Sequence, residues 1–251
     1  MKQEIKVGVV CLARKTFDYD AALEIYKEIQ EDLKAIEQVD WVFIEDLVIE
    51  VKDAKKHGHY LASQEIDALI VISGTFALGH LVLELNKSNK KPILLWGLNE
   101  LPYDGGRIRL NSVCGINLNA SNLYKAGVKN YQVVIGDSVD EDWLDAIRIM
   151  KAFSQAHVGV IGSRAHGFFN LDVDELDLYR EVGLLVDFYQ LSDVFNQNID
   201  YHKLENRKEQ VKSLFDVSDL NSTQVEKVAE LIIKFDTFME ERDLTSIAIR
   251  C

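Results

Sequence analysis

The residues with binding chemistry in this sequence fall in short loops that follow apolar runs. Arg14, Lys15 and Phe17 follow the first run, Thr75 and Phe76 the third, and Trp96, Asn99 and Glu100 the fourth. Arg164 and Phe168 follow a later one. An aromatic face beside fork-shaped donors suits a sugar or a small polyol: the apolar C–H face stacks while Arg and Asn bind hydroxyls. Each loop taken alone reads as packing or capping. The signal is their recurrence after strands one, three and four, because parallel topology brings those carboxyl ends to one edge, where open α/β sheets bind ligands. The candidate substrate-binding residues are Arg14, Lys15, Phe17, Thr75, Phe76, Trp96, Asn99 and Arg164. At Ser73-Gly74-Thr75-Phe76 the plain-turn reading gives Gly74 backbone freedom and makes Thr75 a helix N-cap.

Other chemistries find less support. There is no G-x-x-x-x-G-K-[ST] and no G-x-G-x-x-G after a strand, and Gly105-Gly106-Arg107 is too short to cradle phosphate. No G-x-S-x-G marks a hydrolase nucleophile. His57 and His59 stand two apart on a polar helix, so they point to different faces and form no i, i+4 metal pair. His80 and His166 follow strand-end loops and read as surface or cap histidines. Neither catalytic nor metal-ligating residues emerge.

A net charge of −13 argues against nucleic-acid and membrane-surface binding, both of which need a basic face. Cys11, Cys114 and Cys251 are too few and too widely spaced for a disulfide framework or a zinc site. No apolar run approaches a membrane span and the amino terminus enters a strand at once, so the expected location is the cytoplasm.

The elements that must position these loops alternate. Strands are expected at Ile5–Leu12, Trp41–Ile44, Leu69–Ile72, Pro92–Trp96 and Tyr131–Ile135, with helices at Tyr19–Ile36, Glu50–Gln64, Leu78–Leu85 and Asp140–Ala156. This spacing predicts βαβ units with right-handed crossovers. Gly97–Asn119 breaks the rhythm and reads as one long functional loop. A second unit opens with strands at Val158–Ile161 and Leu184–Phe188. Helices follow over Asp174–Val182, Leu191–Phe215 and Thr223–Arg242, and Thr245–Cys251 starts a further strand. The fold class is thus α/β: two Rossmann-like three-layer units with parallel sheets, 1–155 and 156–251, the second incomplete and truncated before a catalytic part.

At its strand-end loops the sequence resembles the L-fucose isomerase and L-arabinose isomerase superfamily. Four stretches carry the likeness in collinear order: Val7–Phe17, Ser73–Phe76, Leu95–Asn99 with Gly105-Gly106-Arg107, and Val158–Phe168. Ile247–Cys251 is similar to the strand that opens the family's catalytic part. The resemblance covers the N-terminal domain and part of the central domain of a three-domain enzyme. It implies aldose–ketose isomerisation with a divalent metal, usually Mn²⁺. The metal polarises O1 and O2 of a monosaccharide while a carboxylate moves a proton between C1 and C2. The metal ligands and the proton-moving group would follow Cys251, in a missing C-terminal region or a partner chain, so this chain alone would bind no metal and be inactive. Arg14, Phe17, Phe76 and Trp96 would cover the pocket of a neighbouring subunit in a homo-oligomer. The rival expectation is a stand-alone, two-lobed sugar-binding or regulatory module.

Overall fold

The computed structural model describes residues 2–103, 105–168, 170 and 172–249. The chain divides into two compact units, Met1–Lys151 and Ala152–Cys251. In the first, β1 (Ile5–Leu12), β3 (Ala68–Ser73) and β4 (Ile93–Gly97) are apolar with no polar alternation. Such strands are stable only when helices cover both faces of a parallel sheet. They form the middle of a five-stranded sheet of order β2-β1-β3-β4-β5, all parallel, with β2 (Val39–Phe43) and β5 (Tyr131–Ile135) at the edges.

Two helical layers close this sheet. On one face Ala22, Tyr26, Ile29 and Leu33 of α1 (Tyr19–Lys34) pack with Trp143, Leu144 and Ile147 of α5 (Glu141–Ser154). On the other lie α2 (Val51–Ser63), α3 (His80–Ser88) and α4 (Ser112–Lys125), which bury Leu61, Leu81, Leu85, Ile116 and Leu123. The expected α/β class with parallel sheets is the observed one.

The second unit carries a parallel three-stranded sheet of order β7-β6-β8, formed by β6 (His157–Ile161), β7 (Leu185–Tyr189) and β8 (Ser246–Ile249). α6 (Glu175–Val182) connects β6 to β7. Between β7 and β8 run α7 (Leu191–Phe195), α8 (Tyr201–Leu214) and α9 (Ser222–Glu241). Ile161, Val194, Phe238 and Leu244 form its core.

Two elements differ from expectation. The stretch read as one long loop, Gly97–Asn119, contains the first part of α4. Its buried face is Ser112, Gly115, Ile116, Asn119 and Leu123, mostly small or polar, so the apolar stripe that marks an amphipathic helix is absent. The helix expected over Leu191–Phe215 is two, α7 and α8, because Asp200 caps a fresh start by accepting the His202 N–H. Of the strand expected at Thr245–Cys251, Ser246–Ile249 forms β8, and Arg250 and Cys251 lie outside the described residues.

Candidate functional site

β1, β3 and β4 end level: Leu12 pairs with Ser73, and Ser73 with Gly97. The chain steps from β1 outward to β2, then returns across β1 to β3. Right-handed crossovers therefore send the loops after β1 and β3 to opposite faces. A crevice opens between them at this topological switch point, the position where doubly wound sheets take ligands.

Phe17 and Phe76 meet where these two loops touch. Their ring centroids lie 5.8 Å apart with planes tilted by 48°, and both rings are half-buried. Thr75 holds the two loops together. It is fully buried, its Oγ1 accepts the Arg14 backbone N–H at 2.8 Å, and the hydroxyl donates to the Phe76 carbonyl at 3.0 Å. Thr75 is therefore an inter-loop clamp and not a helix cap; α3 starts five residues later, with Gly79 as its N-cap.

Gly74 is required by close approach, not by backbone freedom. A Cβ there would stand 2.5 Å from Cys11 Sγ, and the residue is not among those with positive φ. Burial pushes the Cys11 thiol up to about 12, outweighing the Gly74 N–H that would favour the thiolate. Cys11 is thus a core atom and no nucleophile.

The segment between β4 and α4 is fastened to the same edge. The Phe76 N–H donates to the Leu110 carbonyl at 2.8 Å. Arg109 grips Asp18 through Nη2 at 2.7 Å and Nε at 2.9 Å, while Asp18 also caps α1 by accepting the Ala21 N–H. The Arg109 hydrogen bond, then that of Ala21, holds the Asp18 carboxyl below its ordinary value. Glu100 accepts backbone N–H groups from Leu101, Leu110 and Asn111. Partial burial raises its pKa, but these donors and Arg109 N–H outweigh it and the net shift is downward. The Ser112 hydroxyl donates to the Ser73 carbonyl and accepts the Leu98 N–H.

The structure brings Arg14, Lys15, Phe17, Thr75 and Phe76 to one edge of the first unit. Arg14 and Lys15 line a cleft of about 220 Å³ with Thr16, Glu50, Leu78 and His80. Trp96 lies elsewhere: it is 1% exposed, part of the core under α1 and α5, and its indole N–H donates to the Gly136 carbonyl at 2.8 Å. Asn99 donates to Asp137 at 2.8 Å. Arg164 belongs to the second unit, ion-paired with Asp172 on a cavity of about 560 Å³ that Phe168 and Phe188 also line. The sequence reading passed over Asp18, Arg109 and Ser112. Only Asp18 carried a signal, an Asp directly before a helix.

Among the described residues, no group of three or more His, Cys, Asp and Glu side chains could hold a metal ion. The donor set implied by the resemblance is not assembled by them. Among the same residues, no helix is long and apolar enough to cross a membrane.

Fold and edge together define a doubly wound α/β protein with a basic cleft and an aromatic pair on the loops at its switch point. Residues 8–155, nearly the whole first unit, match the family described as the fucose/sulfoquinovose isomerase N-terminal domain. The chain belongs to that family. It is 27% identical over 259 residues to a sulfoquinovose isomerase of Priestia aryabhattai, covering 99% of this chain and 57% of that protein. It is 27% identical over 253 residues to another from Alkalicoccus urumqiensis, covering 96% and 55%. The chain thus spans a little over half the length of these relatives. A periplasmic solute-binding protein from Actinobacillus succinogenes with bound D-allose aligns over 98% of this chain and 77% of its own, at 12% identity. Its TM-score of 0.28 carries no argument about fold or function.

Proposed function

We propose that this chain is the sugar-enclosing part of an aldose–ketose isomerase acting on sulfoquinovose, a hexose bearing a sulfonate, or on a close analogue. One observation carries the reading. The family match at residues 8–155 falls on the unit whose switch-point loops bring the Phe17–Phe76 pair together with Arg14. Aromatic rings take the C–H face of a sugar, and a guanidinium takes its oxygen atoms. These groups bind and orient substrate and help exclude water; none of them moves the proton between C1 and C2.

In this reading the divalent metal, Mn²⁺ by resemblance, and the proton-moving carboxylate belong to polypeptide beyond Cys251. The partial coverage of the relatives supports that division. The crevice then completes a pocket in a homo-oligomer, closing over a neighbouring subunit's substrate.

The test is an isomerase assay with sulfoquinovose and Mn²⁺. The 251-residue chain is expected to give no ketose, and the polypeptide read through past codon 251 to give it. In that longer protein, Phe76→Ala should raise KM about tenfold with kcat little changed, the mark of lost ground-state and transition-state binding alike. Turnover by the 251-residue chain alone, or an unchanged KM, would contradict the proposal.

A further inference from the structure

The cleft that Arg14 lines also carries Lys15 and His80, which the sugar reading alone does not use. Arg14 and Lys15 are consecutive cations in a chain of net charge −13. They line one cleft with Thr16, Glu50, Leu78 and His80. Several basic side chains of the first unit are ion-paired: Lys2 and Arg148 with Asp145, Lys6 with Asp40, Arg109 with Asp18, and Lys151 with Asp67. Among the described residues, Arg14 and Lys15 have no such partner, although Glu50 lies on the same cleft. With that carboxylate counted, two cations face one anion, and His80 adds ring nitrogens.

The backbone that carries Arg14 is tied at two points. The Arg14 N–H is tied to the buried Thr75 hydroxyl, and the Phe17 N–H closes a turn onto the Arg14 carbonyl at 3.0 Å. From the opposite loop, α3 begins at His80 with no side-chain cap and no acidic residue in its first turn. The partial positive charge of its N-terminus adds to the same side of the balance. A cleft of about 220 Å³ holds a single tetrahedral oxyanion with room for the carbon that bears it.

We infer that the Arg14–Lys15–His80 cleft is an oxyanion subsite that takes the sulfonate of the sugar whose ring lies on Phe17 and Phe76. The inference rests on the sugar-binding reading of the adjacent crevice, and it assigns to this cleft the discrimination between charged and neutral hexoses. Arg14 and Lys15 supply charge-assisted hydrogen bonds to three equivalent oxygens. Glu50 disfavours doubly charged or bulkier anions that would approach it. A phosphate ester presents the same tetrahedral oxygens with a second charge, so the two anions must be compared directly.

The experiment is ¹H–¹⁵N NMR titration of the 251-residue chain with four probes: sulfoquinovose, glucose, methanesulfonate and glucose 6-phosphate. Sulfoquinovose and methanesulfonate are expected to shift the amides of residues 14–16 and 80, and glucose to leave those amides unmoved. The Lys15→Gln/His80→Gln pair should weaken sulfoquinovose about tenfold or more, with Lys15→Arg restoring most of it. Raised salt should weaken both sulfonates. Glucose 6-phosphate should bind more weakly than sulfoquinovose; tighter binding would overturn the sulfonate assignment. If sulfoquinovose moves only residues around Phe17 and Phe76 and ignores the paired substitution, the oxyanion subsite is wrong while the sugar reading stands. If methanesulfonate moves 14–16 and 80 but neither sugar moves 17 or 76, the sugar reading fails instead.

Discussion

Thr75 and Gly74 hold the crevice together by contacts that their residue types do not announce. Thr75 places one hydroxyl between two loops, accepting from Arg14 and donating to the Phe76 carbonyl. Replacing it with the near-isosteric Val leaves a buried N–H without its acceptor. Thr75→Val is expected to cost about 1–3 kcal/mol, read as a lower urea midpoint, and to loosen the Arg14–Phe17 turn. Gly74→Ala puts a methyl 2.5 Å from Cys11 Sγ. Overpacking of this kind costs about 1–3 kcal/mol, so both variants should unfold at lower denaturant; midpoints equal to the parent's would contradict the close packing. Phe17 and Phe76 were legible as loop residues of one sheet edge because such loops recur after parallel strands; their ring contact was not. The clamp was not, since a Thr after a strand is more often a helix cap. Trp96 shows the converse. It sits one residue before the strand end, and that single step turns its ring inward onto α1 and α5, where it is buried.

At the scale of elements, the strands were legible and α4 was not. Unbroken aliphatic runs such as Leu69–Ile72 admit little but a doubly covered strand. α4 hides because what it packs against is backbone. A Cβ on Gly115 would lie 3.1 Å from Phe76 Cα, so the helix uses a small residue where a stripe of leucines would otherwise reveal it. The segment before α4 is tied down by Asp18–Arg109 and by Glu100, and this gives a pH dependence. Both carboxyls titrate below their ordinary values of 3.8 and 4.5 in the folded chain. A depressed pKa means the unfolded chain takes up protons first. The contribution is therefore fully present above those values and lost as pH falls through the folded pKa. Asp18→Asn should accordingly lower stability at pH 7 and narrow its gap from the parent below pH 3.8, followed by urea unfolding at each pH. A gap that widens in acid would contradict the ion pair's role.

For the whole molecule, the switch point explains why five of the eight candidate residues gather while three do not. Order β2-β1-β3 sends the crossovers after β1 and β3 to opposite faces, while their loops touch at one edge and bring Arg14, Lys15, Phe17, Thr75 and Phe76 there. Alternating strand and helix made the parallel βαβ units and their right-handed crossovers readable; the strand order itself is set by packing. Side-chain direction at a strand end depends on packing, which no local pattern encodes, whereas Arg164 falls in the second unit under the boundary already expected near residue 155. The central claim is that the Phe17–Phe76 crevice holds the sugar. Saturation-transfer NMR on the 251-residue chain with sulfoquinovose tests it most directly. Irradiating aromatic protons should transfer magnetisation to the sugar's C–H protons, and the transfer should disappear in the Phe17→Ala/Phe76→Ala double variant while its backbone spectrum stays folded. Undiminished transfer in that folded variant would place the sugar elsewhere and contradict the claim.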